Sequence, residues 1–234
     1  MLKISIDKLF SILILLFFLP IILIFLILVF FQDFSNPIYV STRVGKNFRN
    51  FKLLKIRSMI SNADKSGVSS TSSNDSRITS IGKIIRKFKM DEILQLINVI
   101  RGEMSLVGPR PQILSEVKMY SDFEKNLLSI KPGITDFSSI IFSDEGDILK
   151  NSSDPNKDYN KLIRPWKSKL GVFYINNSNI LIDLQLIILT VLSILNRDFA
   201  LKMISKLLKK LNADMDLVVV AKRKCNLNEF QIKK

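Results

Sequence analysis

Histidine is absent from this chain of 234 residues. Its absence excludes an imidazole general base, a Ser-His-Asp triad and histidine metal ligands. Cysteine occurs once, as Cys225 in a polar tail. One thiol makes neither an intramolecular disulfide nor a cysteine-rich zinc site. Acidic side chains are scarce as well: 21 Asp and Glu stand against 35 Lys and Arg, a formal charge of +14. That balance suits a polyanionic partner, whether nucleic acid, an anionic membrane surface or a phosphorylated substrate. No recognised nucleic-acid-binding signature accompanies the charge, so nucleic acid is not the expected partner. Any chemistry then falls to carboxylates and basic groups.

What the chain has in abundance is apolar sequence at its start. Residues 9–31, LFSILILLFFLPIILIFLILVFF, are apolar apart from Ser11 and Pro20. A straight helix of that length extends about 35 Å, enough to cross a bilayer. A cleaved signal would carry a shorter apolar core and a small-residue cleavage site, whereas this run ends in FFQDFSNP, so it is read as a retained membrane segment. Basic residues flank both ends: Lys3 and Lys8 before it, then Arg43, Lys46, Arg49, Lys52, Lys55 and Arg57 after it. The positive-inside tendency draws both ends toward the cytoplasm. Pro20, at the midpoint, lacks an N–H and can bend the helix into two half-depth limbs. A tilted, kinked spanning helix is the alternative, since membrane helices tolerate proline.

Residues 36–58 alternate Ile38, Val40, Thr42 and Val44, pass through GKN, and resume with Phe51 and Leu53, a pattern that predicts a basic β-hairpin. A solvated hairpin on the membrane surface is its plain reading. Residues 61–76, SNADKSGVSSTSSNDS, have almost nothing to bury and read as a mobile loop. From Met90 to Ile100, Met90, Ile93, Leu94, Ile97 and Ile100 keep helical spacing, while Asp91, Gln95 and Asn98 form a polar stripe. Gly102 can end that helix, and GPRP at 108–111 restricts the backbone on both sides of Arg110. Helix capping accounts for Asp91 and Glu92 but leaves the stripe unexplained.

Carboxylates are hard oxygen ligands of the kind Mg²⁺ takes together with substrate phosphates. An aspartate can also attack a phosphoryl group, and arginines bind phosphate oxygens in pairs. Two acids, several arginines and a membrane segment therefore fit phosphoryl transfer to or from a lipid. Toward the C-terminus, YINNSNILIDLQLIILTVLSIL (174–195) is apolar enough for a second membrane helix. Asp183, Gln185, Thr190 and Ser193 argue instead for packing against the domain or the interface. In FALKMISKLLKKL (199–211), Leu201, Ile204, Leu208 and Leu211 make one stripe flanked by Lys202, Lys206, Lys209 and Lys210, the pattern of a helix lying on an anionic membrane. A partner-binding helix would carry the same pattern.

Three stretches, RVGKNFRNFKLLKIRSM, RITSIGKIIRKFKMDEILQLINVIRGEMSLVGPRP and IKPGIT, occur in the order and spacing of the bacterial sugar transferase family. Over roughly residues 5–195 the chain resembles the small monotopic polyprenyl-phosphate phosphoglycosyl transferases. The resemblance implies transfer of a sugar 1-phosphate from a UDP-sugar to undecaprenyl phosphate, with release of UMP, at the cytoplasmic face of the bacterial inner membrane. This would be the first membrane step of glycan assembly. It also implies Asp91 as nucleophile, Glu92 as its acidic partner, Mg²⁺ at the pair, Arg86 and Arg110 on the phosphates, and a re-entrant N-terminal helix. Lys55 and Arg57 on the hairpin, with Gln95 and Asn98 on the stripe, complete the candidate substrate-binding set.

The expected architecture is α+β, mainly helical and monotopic. It comprises a membrane helix (1–33), a catalytic domain (34–196), and a basic amphipathic helix with a polar tail (197–234). Two departures from the family pattern stand out. Leu19 precedes Pro20 where many relatives have Ser, and DFSSIIFSDEGDIL (136–149) follows PGIT where many continue with Gly and an aromatic-Gln pair. Asp144, Glu145 and Asp147 there read as a solvated loop or as a subgroup-specific sugar or protein contact. The expected partners are a UDP-sugar, undecaprenyl phosphate and anionic lipid, with a homodimer left open. A catalytically silent membrane adaptor that binds nucleotide-sugar or lipid phosphate is the competing class.

Overall fold

The apolar run folds as one helix, α1 (Leu2–Asp33), and Pro20 lies inside it without ending it. The expected division into two limbs is therefore not marked by a break. An internal proline forfeits one hydrogen bond, which a long apolar helix absorbs when packing holds the rest. The structure is a computed structural model that describes residues 2–66, 70–223 and 227. Cys225, and residues 67–69 of the expected mobile loop, lie outside the described residues.

The chain divides into two compact units, one from residues up to 66 together with 76–134, the other from 67–75 together with 135 onward. In the first unit α1 buries one face only. Asp7, Ser11, Ile22 and Val29 are buried on it, and Leu15, Phe18, Phe25 and Leu26 pack against a cluster with Ile56, Ile85 and Leu94. Leu9, Phe10, Leu13, Leu16, Phe17, Leu23, Ile24, Ile27 and Phe31 are exposed on the rest. An apolar band of that extent calls for lipid or protein cover.

Both ends of α1 are tied to this same unit. Ser105 Oγ donates to Asp7 Oδ2 at 2.6 Å near the start. At the other end Arg57 grips Asp33 with both terminal nitrogens, Nη1 to Oδ2 at 2.5 Å and Nη2 to Oδ1 at 2.6 Å. Its Nε donates to the Asn36 carbonyl at 2.8 Å, and Nη2 also reaches the carbonyls of Val29 and Ser35. Every guanidinium nitrogen is thus engaged in holding the end of α1. The assignment of Arg57 to substrate binding is corrected accordingly: β2 ends at Ile56, so the strand alternation that would aim Arg57 beside Lys55 no longer applies.

Strands β1 (Ile38–Val44) and β2 (Asn50–Ile56) form the expected antiparallel hairpin, in register from Ile38↔Ile56 to Val44↔Asn50. Helix α2 (Ser80–Lys87) starts where Thr79 Oγ1 accepts the Gly82 N–H at 2.9 Å. A Cβ at Gly82 would lie 1.9 Å from the Ser58 carbonyl oxygen, so only glycine fits there. The single helix expected over Met90–Ile100 is divided. Lys89 turns the chain with a left-handed φ of 54°, Met90–Glu92 form a 3₁₀ turn, and α3 proper is Gln95–Ile100. Asp91, Gln95 and Asn98 are all buried, so the polar stripe faces the protein interior.

Asn98 is a structural tie. Its Oδ1 accepts from the Leu54 N–H at 3.1 Å, and its Nδ2 donates to the Lys52 carbonyl and to Glu103 Oε2, each at 2.7 Å. With these contacts it fastens α3 to β2, and the substrate-binding role expected of it is replaced by a scaffold role. Two short strands, β3 (Ser105–Val107) and β4 (Gly133–Thr135), pair beyond it.

The second unit is helical: α4 (Arg164–Asn177), α5 (Ile180–Leu195), α6 (Arg197–Lys210) and α7 (Met215–Ala221) enclose Phe137, Ile140, Ile141, Leu170, Leu186 and Ile204. Tyr174 donates to Asp183 at 2.6 Å, both buried. The stripe of α6 is internal: Leu201, Ile204 and Leu208 are buried, with Ala200 and Ser205. This overturns its reading as a helix lying on the membrane, because α5 and α7 take up the apolar face. Most exposed apolar side chains of this region belong to α5, among them Leu181, Leu184, Ile188, Val191 and Leu195, while α6 exposes Phe199 and Met203.

The acidic segment is not a solvated loop either. Asp144 pairs with Arg197 at 2.9 Å and Arg223 at 3.2 Å, and Glu145 pairs with Lys167. The described part of the expected mobile loop is also fastened, through Ser70 N–H to Asn156 and Ser73 N–H to the Gly146 carbonyl.

Replacing Asn98 by Ala removes the partner of the part-buried Leu54 N–H and Lys52 carbonyl. We expect Asn98→Ala to lose roughly 2–4 kcal/mol of stability, read as a lower midpoint in denaturant titration of the detergent-solubilised protein. An unchanged midpoint would refute the tie.

Candidate active site

The left-handed turn at Lys89 ends α2 and sets Asp91 and Glu92 on the short 3₁₀ turn ahead of α3. Asp91 is buried, and the Glu92 side chain is 15% exposed. Two adjacent carboxylates out of water repel each other and lose hydration, so cations must accompany them.

The first cation comes from the hairpin. Lys55 shares a face of β2 with Leu53, and its Nζ lies 3.1 Å from Glu92 Oε1 and 3.5 Å from Asp91 Oδ2. The second comes from GPRP. Arg110 binds Glu92 with both terminal nitrogens, Nη1 to Oε2 at 3.2 Å and Nη2 to Oε1. Its segment is sewn down on both sides: Gly133 N–H donates to the Pro109 carbonyl at 3.0 Å, and Val44 N–H to the Gln112 carbonyl at 2.9 Å. The first bond requires two glycines back to back, since a Cβ on Gly133 would stand 2.0 Å from the Gly108 nitrogen. Arg86, on α2, donates from Nε to Ser58 Oγ at 2.9 Å, and its charge also acts on Asp91.

The structure thus brings Asp91, Glu92, Lys55, Arg110 and Arg86 together. Arg57 and Asn98 serve the scaffold. Gln95 stays with the site: it is buried, its Nε2 has no hydrogen-bond partner, and it lines a recess with Arg43, Leu53, Lys55, Arg110 and Pro111. Arg43 is the residue that sequence reasoning missed as a site residue. The signal was available in strand alternation, because the register sets Ser41 across from Leu53 and Tyr39 across from Lys55, which puts Arg43 on their face.

The two acids are driven apart in proton affinity. Burial raises Asp91 above the ordinary aspartate range, with the like charge of Glu92 adding to the rise and Lys55 opposing it. Burial pushes Glu92 the same way, but Arg110 and then Lys55 outweigh it and hold that carboxyl well below the usual glutamate range. Such a split assigns different tasks to paired carboxylates. Glu92 is a permanent anion that fixes its cations, and Asp91 is the more basic oxygen, available as nucleophile or proton acceptor.

Among the described residues no group of three or more His, Cys, Asp or Glu is placed to hold a metal ion. Two carboxylates fit Mg²⁺ only if phosphate oxygens and water supply the remaining ligands. That donor set is coherent with a phosphorylated substrate.

The sequence profile of the family described as bacterial sugar transferase matches residues 1–197. The galactosyl transferase CpsE of Streptococcus agalactiae serotype III (strain NEM316) is 36% identical over 181 residues, 73% of this chain and 37% of that protein. The exopolysaccharide production protein ExoY of Sinorhizobium fredii (strain NBRC 101917 / NGR234) is 37% identical over 148 residues, 57% of this chain and 66% of that protein. A UDP-N-acetylgalactosamine-undecaprenyl-phosphate N-acetylgalactosaminephosphotransferase of Aeromonas hydrophila is 28% identical over 181 residues, 76% of this chain and 40% of that protein. The chain spans less than two thirds of the length of each of these relatives.

Carbodiimides attack protonated carboxyls, so labelling against pH reads out the split. Asp91, raised, keeps its proton as pH climbs past the point where Glu92, lowered, has long lost its own. Peptide mapping should find Asp91 labelled to higher pH than Glu92, and Lys55→Met should move the Asp91 profile higher still. Labelling of Glu92 at the higher pH would overturn the assignment.

Proposed function

The chain belongs to the bacterial sugar transferase family, and we propose that it transfers a sugar 1-phosphate from a UDP-sugar to undecaprenyl phosphate through a phosphosugar intermediate on Asp91. The observation that carries this reading is the buried acid pair with its cations in place, Lys55 Nζ at 3.1 Å from Glu92 and 3.5 Å from Asp91 and Arg110 bonded to Glu92. An Asp91 oxygen attacks the phosphorus that bears the sugar. The bond from that phosphorus to the nucleoside phosphate breaks, its electron pair leaves with UMP, and an aspartyl phosphosugar remains. A phosphate oxygen of the lipid then attacks the same phosphorus and releases the Asp91 carboxylate, leaving the sugar on a lipid diphosphate. Glu92 stays ionised throughout and holds Lys55 and Arg110 where phosphate charge accumulates. Arg86 adds positive charge on the Asp91 side.

Asp91 and Glu92 are the residues that would hold Mg²⁺. When bound, the ion supplies charge neutralisation on phosphate oxygens.

The way α1 is held supports a monotopic arrangement. The ends of a spanning helix lie on opposite sides of a hydrocarbon layer about 30 Å thick. One unit that binds Asp7 at one end, Asp33 at the other and the face between would have to cross that layer too. The unit carries the solvated hairpin strand β1 and buried charges, which hydrocarbon does not accommodate. Both ends of α1 are therefore read as lying on one side of that layer, and the basic residues at both ends favour the cytoplasmic side. Anionic headgroups are the natural neighbours of those residues.

UMP release by the purified protein in lipid nanodiscs, with undecaprenyl phosphate, Mg²⁺ and a panel of UDP-sugars, tests the reaction. One donor should give UMP, and Asp91→Asn should cut turnover on the order of a thousandfold or more. Turnover surviving in that variant would sink the nucleophile role. UDP-sugar binding without UMP release would identify an adaptor instead.

A further inference from the structure

The recess beside the acid pair is not needed for the acids themselves. It is lined by Arg43, Leu53, Lys55, Gln95, Arg110 and Pro111, and its cavity volume is about 30 Å³. A pocket for a whole small ligand is roughly 300–1,000 Å³, far more than this recess encloses, so it admits at most one small group of a substrate. Its lining holds three cationic side chains, one amide and no carboxylate. That composition selects an anionic group over a sugar hydroxyl or a base edge.

Two further observations fix its use. Gln95 is 98% buried by its 2% exposure, yet its Nε2 donates to nothing, a cost that a ligand oxygen in the recess would relieve. Lys55 and Arg110 line the recess and at the same time contact the acids, Lys55 at 3.1 Å from Glu92 and 3.5 Å from Asp91. A diphosphate with one phosphorus at Asp91 therefore has its second phosphate directed across that pair of cations into the recess. Arg43 is held there by its strand and by Nε donating to Ser41 Oγ at 3.2 Å.

We propose that Arg43 and Gln95 form the subsite for the phosphate that departs, so that they bind UMP and stabilise the charge it gains when the bond to the transferred phosphorus breaks. This rests on the reaction proposed above. The step is balanced without further reactants: the new bond is Asp91 oxygen to phosphorus, the broken one is phosphorus to the bridging oxygen, and the electron pair goes to the UMP oxygen beside Arg43. Arg43 then contributes twice, by holding the donor and by favouring departure.

The test uses the full chain in nanodiscs on an Asp91→Asn background, where binding is read apart from turnover. Calorimetric titration with UMP is compared with uridine and with a short-chain polyprenyl phosphate. Loss of a charge-assisted hydrogen bond weakens binding roughly ten- to a hundredfold. We expect a loss of that size for UMP in Arg43→Ala and a smaller one in Gln95→Leu. Arg43→Lys should recover part of it, and polyprenyl phosphate affinity should be unchanged. In the active background the same variants should raise the inhibition constant of UMP.

Unchanged UMP affinity in Arg43→Ala and Gln95→Leu overturns the subsite. So does a loss confined to polyprenyl phosphate, which would give the recess to the acceptor. Wild-type thermal stability in Arg43→Lys separates binding from folding. If no UDP-sugar yields UMP but UMP binding still depends on Arg43, the reaction falls and the nucleotide phosphate site stands.

Discussion

Two carboxylates on consecutive residues, both withdrawn from water, are the constraint around which the first unit is arranged. Neither could stay ionised there alone, because each pays desolvation and each raises the proton affinity of the other. The chain answers with cations delivered by three different segments, so that no single flexible side chain has to do everything. Lys55 comes from a strand, Arg110 from a segment pinned between prolines, and Arg86 from the helix just before the pair. Rigid delivery keeps the compensation unequal. Glu92 receives the two-pronged Arg110 contact and Asp91 does not, and that inequality separates the roles of two chemically similar groups.

The scaffold serves the same end. The glycine contact between residues 108 and 133 lets two backbones approach closely enough for the Pro109 carbonyl to be held, which locates Arg110. Asn98 locks α3 to β2, the element that bears Lys55. Groups far apart in sequence thus share one frame, and a shift of the hairpin relative to α3 would disturb the acids before any substrate arrived.

Much of this was legible in the sequence. Period-two alternation gave the hairpin with Lys55 on it, and the acid pair before an apolar stretch marked the place where Lys55 and Arg110 converge. Where the reading failed, two physical states left the same mark. Arg57 stands two residues after Lys55 and would share its face on a longer strand, but strand length is set by pairing, and β2 stops one residue earlier. A buried amide that ties backbone and one whose nitrogen bonds to nothing look alike in sequence, so Asn98 and Gln95 could be told apart only by their contacts. The stripe of α6 fits a membrane or a core equally well, and the presence of α7 decided for the core. Arg43 was hidden by abundance, one basic residue among 35.

The attachment of α1 at both ends also orders events in time. Asp7 precedes its partner Ser105 by 98 residues and Asp33 precedes Arg57 by 24, so the segments that hold α1 are made after it. During that interval its apolar band calls for cover of its own. The later-made segments then close on one face of a helix whose other face stays exposed. Assembly of the acid site is in this way coupled to the covering of that band, and copies that leave it bare face aggregation through it before they acquire a finished site.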